Sequence, residues 1–508
     1  MSPLSEAVDV LVVGSGNAGM SAALSAAEAG ARVLVIEKGA PDEAGGNTWY
    51  TAGAFRVVHD GLDGLRPLLA DPGDPRLDGT VLEPYGAEDF HRDLERLTEG
   101  RADRALAQAL VAESLEGIRW LRAHGVPFEL MYHRQAYATE TGHRFWGGLA
   151  LGVEGGGKAL VARELDAVRR LGVAVVHGAA LARLMRDADG AVAGVELTDG
   201  RRVAAGAVVL ACGGFQADAG MRAEHLGEAW RAAHVRGTPH NAGDGLRAAL
   251  AIGAARAGDW GGCHSVAWDV ASSPDGGDLE LTNRFTKQSY PLGIVVNRDG
   301  ARFLDEGADF RNYTYARLGA AIIRQPGARA FQLFDAKTTP LLRVEEYEVP
   351  GIEKHVAQDL DALARAAGIH PDGLVSTVAA FNAAVQDGPF DPTTRDGKGT
   401  VGIEPPKSNW AQPLDAPPYV AVTVTCGITF TFGGLRIDPH GRVLDEHGAP
   451  LAGLYAAGEI AGGLFAHNYP GGSGLTAGTV FGRRAGRAAA TFDRAPRAAS
   501  GAEKGAAA

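Results

Sequence analysis

Cysteine is scarce in this chain of 508 residues: there are three, Cys212, Cys263 and Cys426, and no two fall in a CxxC pair. That spacing excludes an iron–sulfur cluster, a c-type haem or a zinc ribbon built from this sequence, and it fits a reducing compartment. No apolar run approaches the roughly 20 residues that cross a bilayer. The first strand is expected by Val8, which leaves no room for a signal peptide, so the expected location is cytoplasmic. An excess of positive charge is also missing: the formal net charge is −12 and basic residues are scattered. A nucleic-acid partner is therefore not expected, whereas a few buried arginines can still hold a small anion. No internal repeat is visible.

What is abundant is glycine, at 71 residues, alongside 45% hydrophobic residues. The combination indicates tight turns and close packing rather than disorder. The length allows two or three domains.

"VDVLVVGSGNAGMSAALSAAEAGARVLVIEKG" reads as strand, tight turn, helix and strand. Val8 to Val13 is the near-continuous apolar run of a buried parallel strand. Ser21 to Ala29 is a helix that stops at Gly30, and Arg32 to Ile36 is a second strand. Gly14 permits the turn, Gly16 lets backbone approach phosphates, and Gly19 lets the helix pack on the strand. Unpaired N–H groups at the helix start, around Asn17 and Ala18, would face a pyrophosphate. Glu37 ends the second strand, where its carboxylate suits ribose hydroxyls, with Lys38 beside it. A dinucleotide site is the reading.

Residues 90–125 and 157–172 read as helices. Asp189-Gly190 and Asp199-Gly200 mark hairpin turns in a meander that returns to a buried strand at Ala207–Ala211. Residues 260–430 gain aromatics, charges and proline-rich loops, as an inserted domain would. Residues 453–463 restore the strand and glycine-turn pattern. The expected division is residues 1–258 and 431–493 for the dinucleotide domain, 259–430 for an inserted capping and substrate domain, and 494–508 for a flexible tail. The fold class is α/β with an α+β cap.

"GGNTWYTAGAF" (45–55), "GAVVLACGGF" (206–215) and "GLYAAGEIAGGLFAHNYPGGSGLTAGTVFGRRAG" (453–486) resemble the fumarate reductase/succinate dehydrogenase flavoprotein superfamily over nearly the whole chain. "GGCHSVAWD", "FLDEGADFRNYTYARLG" and "HNYPGGSGLTAG" resemble its FAD-dependent tricarballylate dehydrogenases. The resemblance implies a Rossmann-like FAD-binding domain and FAD as cofactor. Gly45, Gly46, Asn47 and Thr48 would run beside flavin and pyrophosphate, and Ala180, Gly213, Gly214 and Gly458 would line the site. Glu459 would bond the ribityl chain. Ser473 and Leu475 would approach the isoalloxazine at a helix N-terminus, whose dipole favours the anionic reduced ring. Asn47 stands where membrane-bound members carry the histidine that attaches FAD, so non-covalent binding is expected.

The implied activity is desaturation next to a carboxylate, with hydride passing to flavin N5. Tricarballylate going to cis-aconitate, or a related polycarboxylate, is the leading substrate. His264 would contact a substrate carboxylate by this resemblance, although alone it reads rather as a satisfied core histidine. Arg311, with Glu306 nearby, would hold substrate, and Arg317 is the alternative between function and an ordinary salt bridge. In "HRQAYATETGHRFWGG" (133–148) His133, Arg134, His143 and Arg144 either clamp a carboxylate or cap a loop, with His143 and Arg144 preferred.

The stretch departs from fumarate reductases at Phe430 and Tyr469, where they carry histidine and arginine. Tyr469 followed by Pro-Gly also resembles 3-ketosteroid dehydrogenases, in which the tyrosine polarises a carbonyl. Tyr469 and His467 are thus candidates for substrate orientation or proton transfer. Alternatives are another flavin dehydrogenase on the same scaffold, including a ketosteroid-type or cobalamin-biosynthesis enzyme, or a flavoprotein electron carrier. The implied partners are a small anionic carboxylate and a membrane-associated iron–sulfur acceptor.

Overall fold

The computed structural model describes residues 7–492; the tail expected from residue 494 lies outside them. Val8–Val13 forms a strand paired in parallel with Val33–Ile36 on one side and with Arg202–Leu210 on the other. All four positions Val10 to Val13 are buried, as the apolar run requires. Ala174–Val176 extends one edge in parallel, and Pro450–Ala456 lies parallel to the far end of Arg202–Leu210. The hairpins at 189–190 and 199–200 place Leu181–Arg186 and Val192–Leu197 in the same eight-stranded sheet. Its centre is packed with Val10, Leu11, Val12, Val35, Val208 and Val209. Each such side chain contributes about 1.5–3 kcal/mol by leaving water. The α/β architecture read from the sequence is the one observed.

The first helix starts four residues earlier than expected, at Asn17, and runs to Glu28. Gly14 has φ +106° and its added Cβ would lie 2.5 Å from the Ala211 carbonyl oxygen. At Gly19 an added Cβ would lie 2.0 Å from the Gly14 carbonyl oxygen. Neither obstacle is a flexible side chain, so the turn and helix cannot yield locally. Gly19→Val is expected to abolish the FAD-bound form: purified variant should show no visible flavin absorption, whereas the parent is yellow.

The 90–125 region resolves into two helices, Ala87–Thr98 and Arg104–Ala123, parted at Glu99 with φ +55°. Asp103 caps the second through the Ala105 and Leu106 amides. Gly156–Arg170 matches the helix read at 157–172.

A six-stranded sheet is built around one long strand, Tyr419–Leu435. Arg256–Asp269, Ala330–Phe334 and Lys354–Ala357 pair with it antiparallel, and His234–Val235 pairs in parallel. Its strands thus reach outside the 259–430 span at both ends, because the long strand continues to a bridge with Ala461. Among the described residues no helix is long and apolar enough to cross a membrane. No group of three or more His, Cys, Asp or Glu among them is placed to hold a metal ion.

Candidate active site

One cavity joins the two sheets and encloses about 2050 Å³ of non-atom space, the open solvent at its mouth included. One end is the glycine turn. Gly14, Gly16, Asn17 and Ala18 line it, with Glu37 and Lys38 above and Gly46, Asn47 and Thr48 opposite. Glu37 accepts from the Ser15 amide at 2.9 Å and the Gly39 amide at 2.7 Å. Lys38 pairs with Asp244 at 2.8 Å. Gly19 and Gly45 stand just behind this wall. Gly45 donates to the Ser15 hydroxyl at 3.0 Å, and Thr48 takes the Asn17 amide at 2.9 Å.

The middle of the cavity is lined by Gly213, Gly458, Glu459, Gly474 and Leu475. Gly214 backs Glu459: a Cβ there would meet its carboxylate at 2.3 Å. Burial pushes the Glu459 carboxyl up to about 7, against hydrogen bonds from Thr431, Gly214 and Gln216. A carboxyl raised in this way loses stability as pH rises from its ordinary value of 4.5 through 7. Apo Glu459→Gln is therefore expected to gain thermal midpoint over the parent as pH goes from 5 to 8. A constant difference across that range would contradict it.

Besides Gly19, Gly45 and Gly214, two more cofactor residues expected from the sequence are not at the surface of the cavity. The Ser473 hydroxyl turns back to the Pro470 carbonyl at 2.6 Å and is fully buried. Ala180 presents its carbonyl to Thr198, while its neighbours Ala179 and Leu181 line the wall.

FAD fits this cradle. An added Cβ would meet no protein atom closer than 3.5 Å at Gly16 or 4.0 Å at Gly46, and none within 4 Å at Gly474. Gly46, at φ +53°, needs glycine for its backbone conformation, but at Gly16 and Gly474 neither packing nor a positive φ demands it, so their openness suits a ligand that lies against backbone. Asn47 donates to the Thr429 carbonyl at 2.6 Å and accepts from the Thr238 amide at 3.0 Å. Its amide offers no nucleophile for attachment.

The other end of the cavity differs in chemistry. His264, Tyr315, Phe430 and Tyr469 meet there. His264 stacks on Phe430 at 5.1 Å and meets both tyrosine rings edge-on at 5.0 Å. The two tyrosine hydroxyls are hydrogen-bonded to each other. Both ring nitrogens of His264 are buried without a protein partner. Burial, reinforced by Arg236, holds its pKa well below the ordinary 6.5, so the ring is neutral. Burial likewise raises both phenols, and Arg236 acts the other way.

Arg236, Arg134 and Arg311 complete this end. Arg236 donates to the Thr429 hydroxyl at 2.7 Å and to Asn283. Arg311 donates to Gln288 Oε1 at 2.9 Å. Among the described residues neither guanidinium has a carboxylate within 4.0 Å, and each is at most 8% exposed. Burial and the neighbouring Arg343 push Arg311 down to about 9. A buried cation with this little compensation invites an anion.

Five expected site residues lie elsewhere: Arg144, His143, His467, Arg317 and Glu306. Arg144 is exposed on a hairpin strand beside Tyr137. In the same stretch the short helical turn Tyr132–Gln135 carries Arg134 inward, and His143 packs edge-on to Tyr132. His467 pairs with Glu99 at 3.0 Å and its amide donates to Asp259. Arg317 is exposed and feels the same Glu99 carboxylate. Glu99, at a helix end, thus neighbours both His467 and Arg317, and neither lines the cavity. Glu306 pairs with Arg302 and bonds the Val295 amide, remote from the cavity. Arg236, absent from the sequence reading, follows the two-residue strand His234–Val235. Its only signal was an arginine between a short apolar step and the turn "GTP".

Comparison with known proteins agrees with this geometry. The model of the FAD binding domain family matches residues 9–475. A probable fumarate reductase of Shewanella frigidimarina is 29% identical over 502 residues, covering 96% of this chain and 75% of that protein. The 4-oxocyclohexanecarboxylate 2-dehydrogenase of Sinomonas cyclohexanicum is 30% identical, covering 97% of this chain and 96% of that protein. The structure of a 3-ketosteroid Δ1-dehydrogenase from Sterolibacterium denitrificans superposes with a TM-score of 0.73 at 22% identity, covering 95% of this chain and 99% of that one. With a glycine cradle for a dinucleotide at one end and an aromatic, cationic chamber at the other, the chain belongs to the FAD binding domain family and is an FAD-dependent oxidoreductase acting on carbon–carbon bonds.

Proposed function

We propose that the chain introduces a C=C bond beside a carbonyl in a carboxylate-bearing substrate, a ring keto acid of the 4-oxocyclohexanecarboxylate kind. The observation that carries this reading is the pair of buried guanidiniums without a carboxylate, Arg236 and Arg311, set against a wall of rings bearing two linked phenols. The 4-oxocyclohexanecarboxylate 2-dehydrogenase named above supports it, as a relative that matches this chain almost from end to end.

The carboxylate belongs with Arg236 or Arg311, whose planar forks match its two oxygens. Phe430 and the tyrosine rings face the apolar ring. The Tyr469 hydroxyl donates to the carbonyl oxygen and so steadies the negative charge that gathers there as the neighbouring C–H loses its proton. Tyr315, bonded to Tyr469, keeps that hydroxyl aimed. His264, neutral and without a protein partner, offers a lone pair on the same wall to the departing proton. FAD, when bound, supplies the acceptor for the hydride lost from the adjacent carbon. The electrons then leave to oxygen or to a partner protein.

A second reading is a polycarboxylate such as tricarballylate, favoured by the third cavity guanidinium, Arg134. It brings with it a membrane-associated iron–sulfur protein as electron acceptor, testable by co-purification. Anaerobic mixing of the yellow holoenzyme with each acid separates the two. Bleaching of the visible flavin bands by 4-oxocyclohexanecarboxylate, and not by tricarballylate or an uncharged methylcyclohexanone, is expected. Arg236→Leu should reduce its second-order bleaching constant about 100-fold or more, because a desolvated charge contact is lost. Prompt bleaching by tricarballylate alone would move the assignment to the second reading.

A further inference from the structure

Behind the arginine end of the flavin cavity lies a second cavity, and the two share Arg134, Gln288 and Arg311 as a common wall. The partition is chemically unusual. The Gln288 side-chain oxygen accepts from Arg311 at 2.9 Å and from Arg343 at 2.8 Å. A neutral amide thus stands between two guanidiniums, where a carboxylate would bind both more strongly. Glu346 pairs with Arg343 and Arg134, each at 3.0 Å, and Glu345 pairs with Arg343 at 3.0 Å. Three arginines therefore face two glutamates, and Arg311 is the one left without an acid.

The opposite wall is a stack of rings. Tyr137 lies on Trp146 at 6.4 Å and Trp146 on Phe310 at 5.1 Å, both near-parallel at 26°. The Arg311 guanidinium sits 4.9 Å from the Trp146 ring centre. The rim is open, with Val344 at 69% exposure and Leu341 at 39%.

We propose that this outer chamber is a binding site for a flat carboxylate, which takes the place of the Gln288 oxygen between Arg311 and Arg343 and lays its apolar body against the Tyr137–Trp146–Phe310 stack. That the occupant is the enzyme's own substrate or enoic product, held on its way through the partition, rests on the keto-acid reading above. The site itself rests on the second cavity.

The test uses the FAD-loaded protein at low salt with benzoate as probe. Benzoate should quench indole fluorescence, and Trp146→Phe should remove most of that quench. Val344→Glu, a change at the exposed rim, should weaken the apparent affinity about threefold and Val344→Lys should tighten it by a similar factor, as one charge at about 7 Å in water dictates. Arg343→Gln should weaken it at least tenfold. Absence of a benzoate-dependent quench, a quench that survives Trp146→Phe, or equal affinity in the two Val344 variants would overturn the proposal. Perturbation of the flavin spectrum reports the inner cavity separately. Failure of every keto acid to bleach the flavin, with the benzoate effects intact, would remove the substrate reading and leave the outer site standing.

Discussion

Arg56→Met is expected to lower the stability of the chain by about 3–5 kcal/mol and to loosen the loop that carries Tyr469. The Arg56 side chain is fully buried. Its Nε donates to the Gly471 carbonyl at 2.8 Å and Nη2 to the Gly147 carbonyl at 3.1 Å. Nη1 faces Asp93 at 3.4 Å, and the guanidinium lies 5.2 Å from the ring centres of both Tyr85 and Tyr313. Both those phenols also donate to Asp93, each at 2.8 Å. Methionine fills the space but removes the one fully buried cation beside Asp93, which keeps only the two phenols and half-exposed Arg96, and it leaves the Gly471 carbonyl without its donor. Arg56→Lys keeps the charge but not the fork, and should recover only part of the loss. Thermal denaturation of the three holoenzymes checks the order, parent above lysine above methionine. Equal midpoints would show that the hub does not hold the loop.

Tyr469→Phe should slow anaerobic flavin reduction about 100- to 1000-fold while leaving the absorption spectrum of bound FAD in place. Removing one preorganised donor to a developing oxyanion has an effect of that size. The ring itself is retained, so its edge-on contacts with His264 and Phe430, at 5.0 and 5.1 Å, persist and the packing term is small. Stopped-flow bleaching at saturating substrate is the measurement. A rate within threefold of the parent would show that the hydroxyl does not touch the reacting carbonyl.

The part of this molecule that can be read from the sequence is the part governed by backbone geometry. Gly14 and Gly19 are constrained by contacts only a few residues away or on one neighbouring strand, so their spacing survives in the linear text. The same holds for the hairpins at 189–190 and 199–200, where a short loop ending on a positive-φ glycine, Gly190 or Gly200, is specified locally. The cationic chamber is the reverse case. Arg134, Arg236 and Arg311 come from a helical turn, a two-residue strand and a four-residue helix, none with a periodic pattern. Nothing local distinguishes inward Arg134 from exposed Arg144. The pairing of Gly142–Phe145 with Ala136–Thr139, set between distant elements, decides it. His467 and Arg317 lie instead beside Glu99, an acid brought to them by the end of a helix far away in sequence. His264 and Tyr469 could be found because their short motifs are carried by the family resemblance.

Phe430 and Thr431 are consecutive residues of the long strand Tyr419–Leu435. One presents its ring to His264; the other uses its amide, at 2.9 Å, to hold Glu459. Both line the cavity, so a single peptide unit connects the aromatic, cationic chamber to the carboxyl of Glu459. Any coupling carried by that peptide is reciprocal between the two ends. An acid seated against Phe430 should slow the escape of FAD during dialysis, and a protein stripped of FAD should bind that acid more weakly.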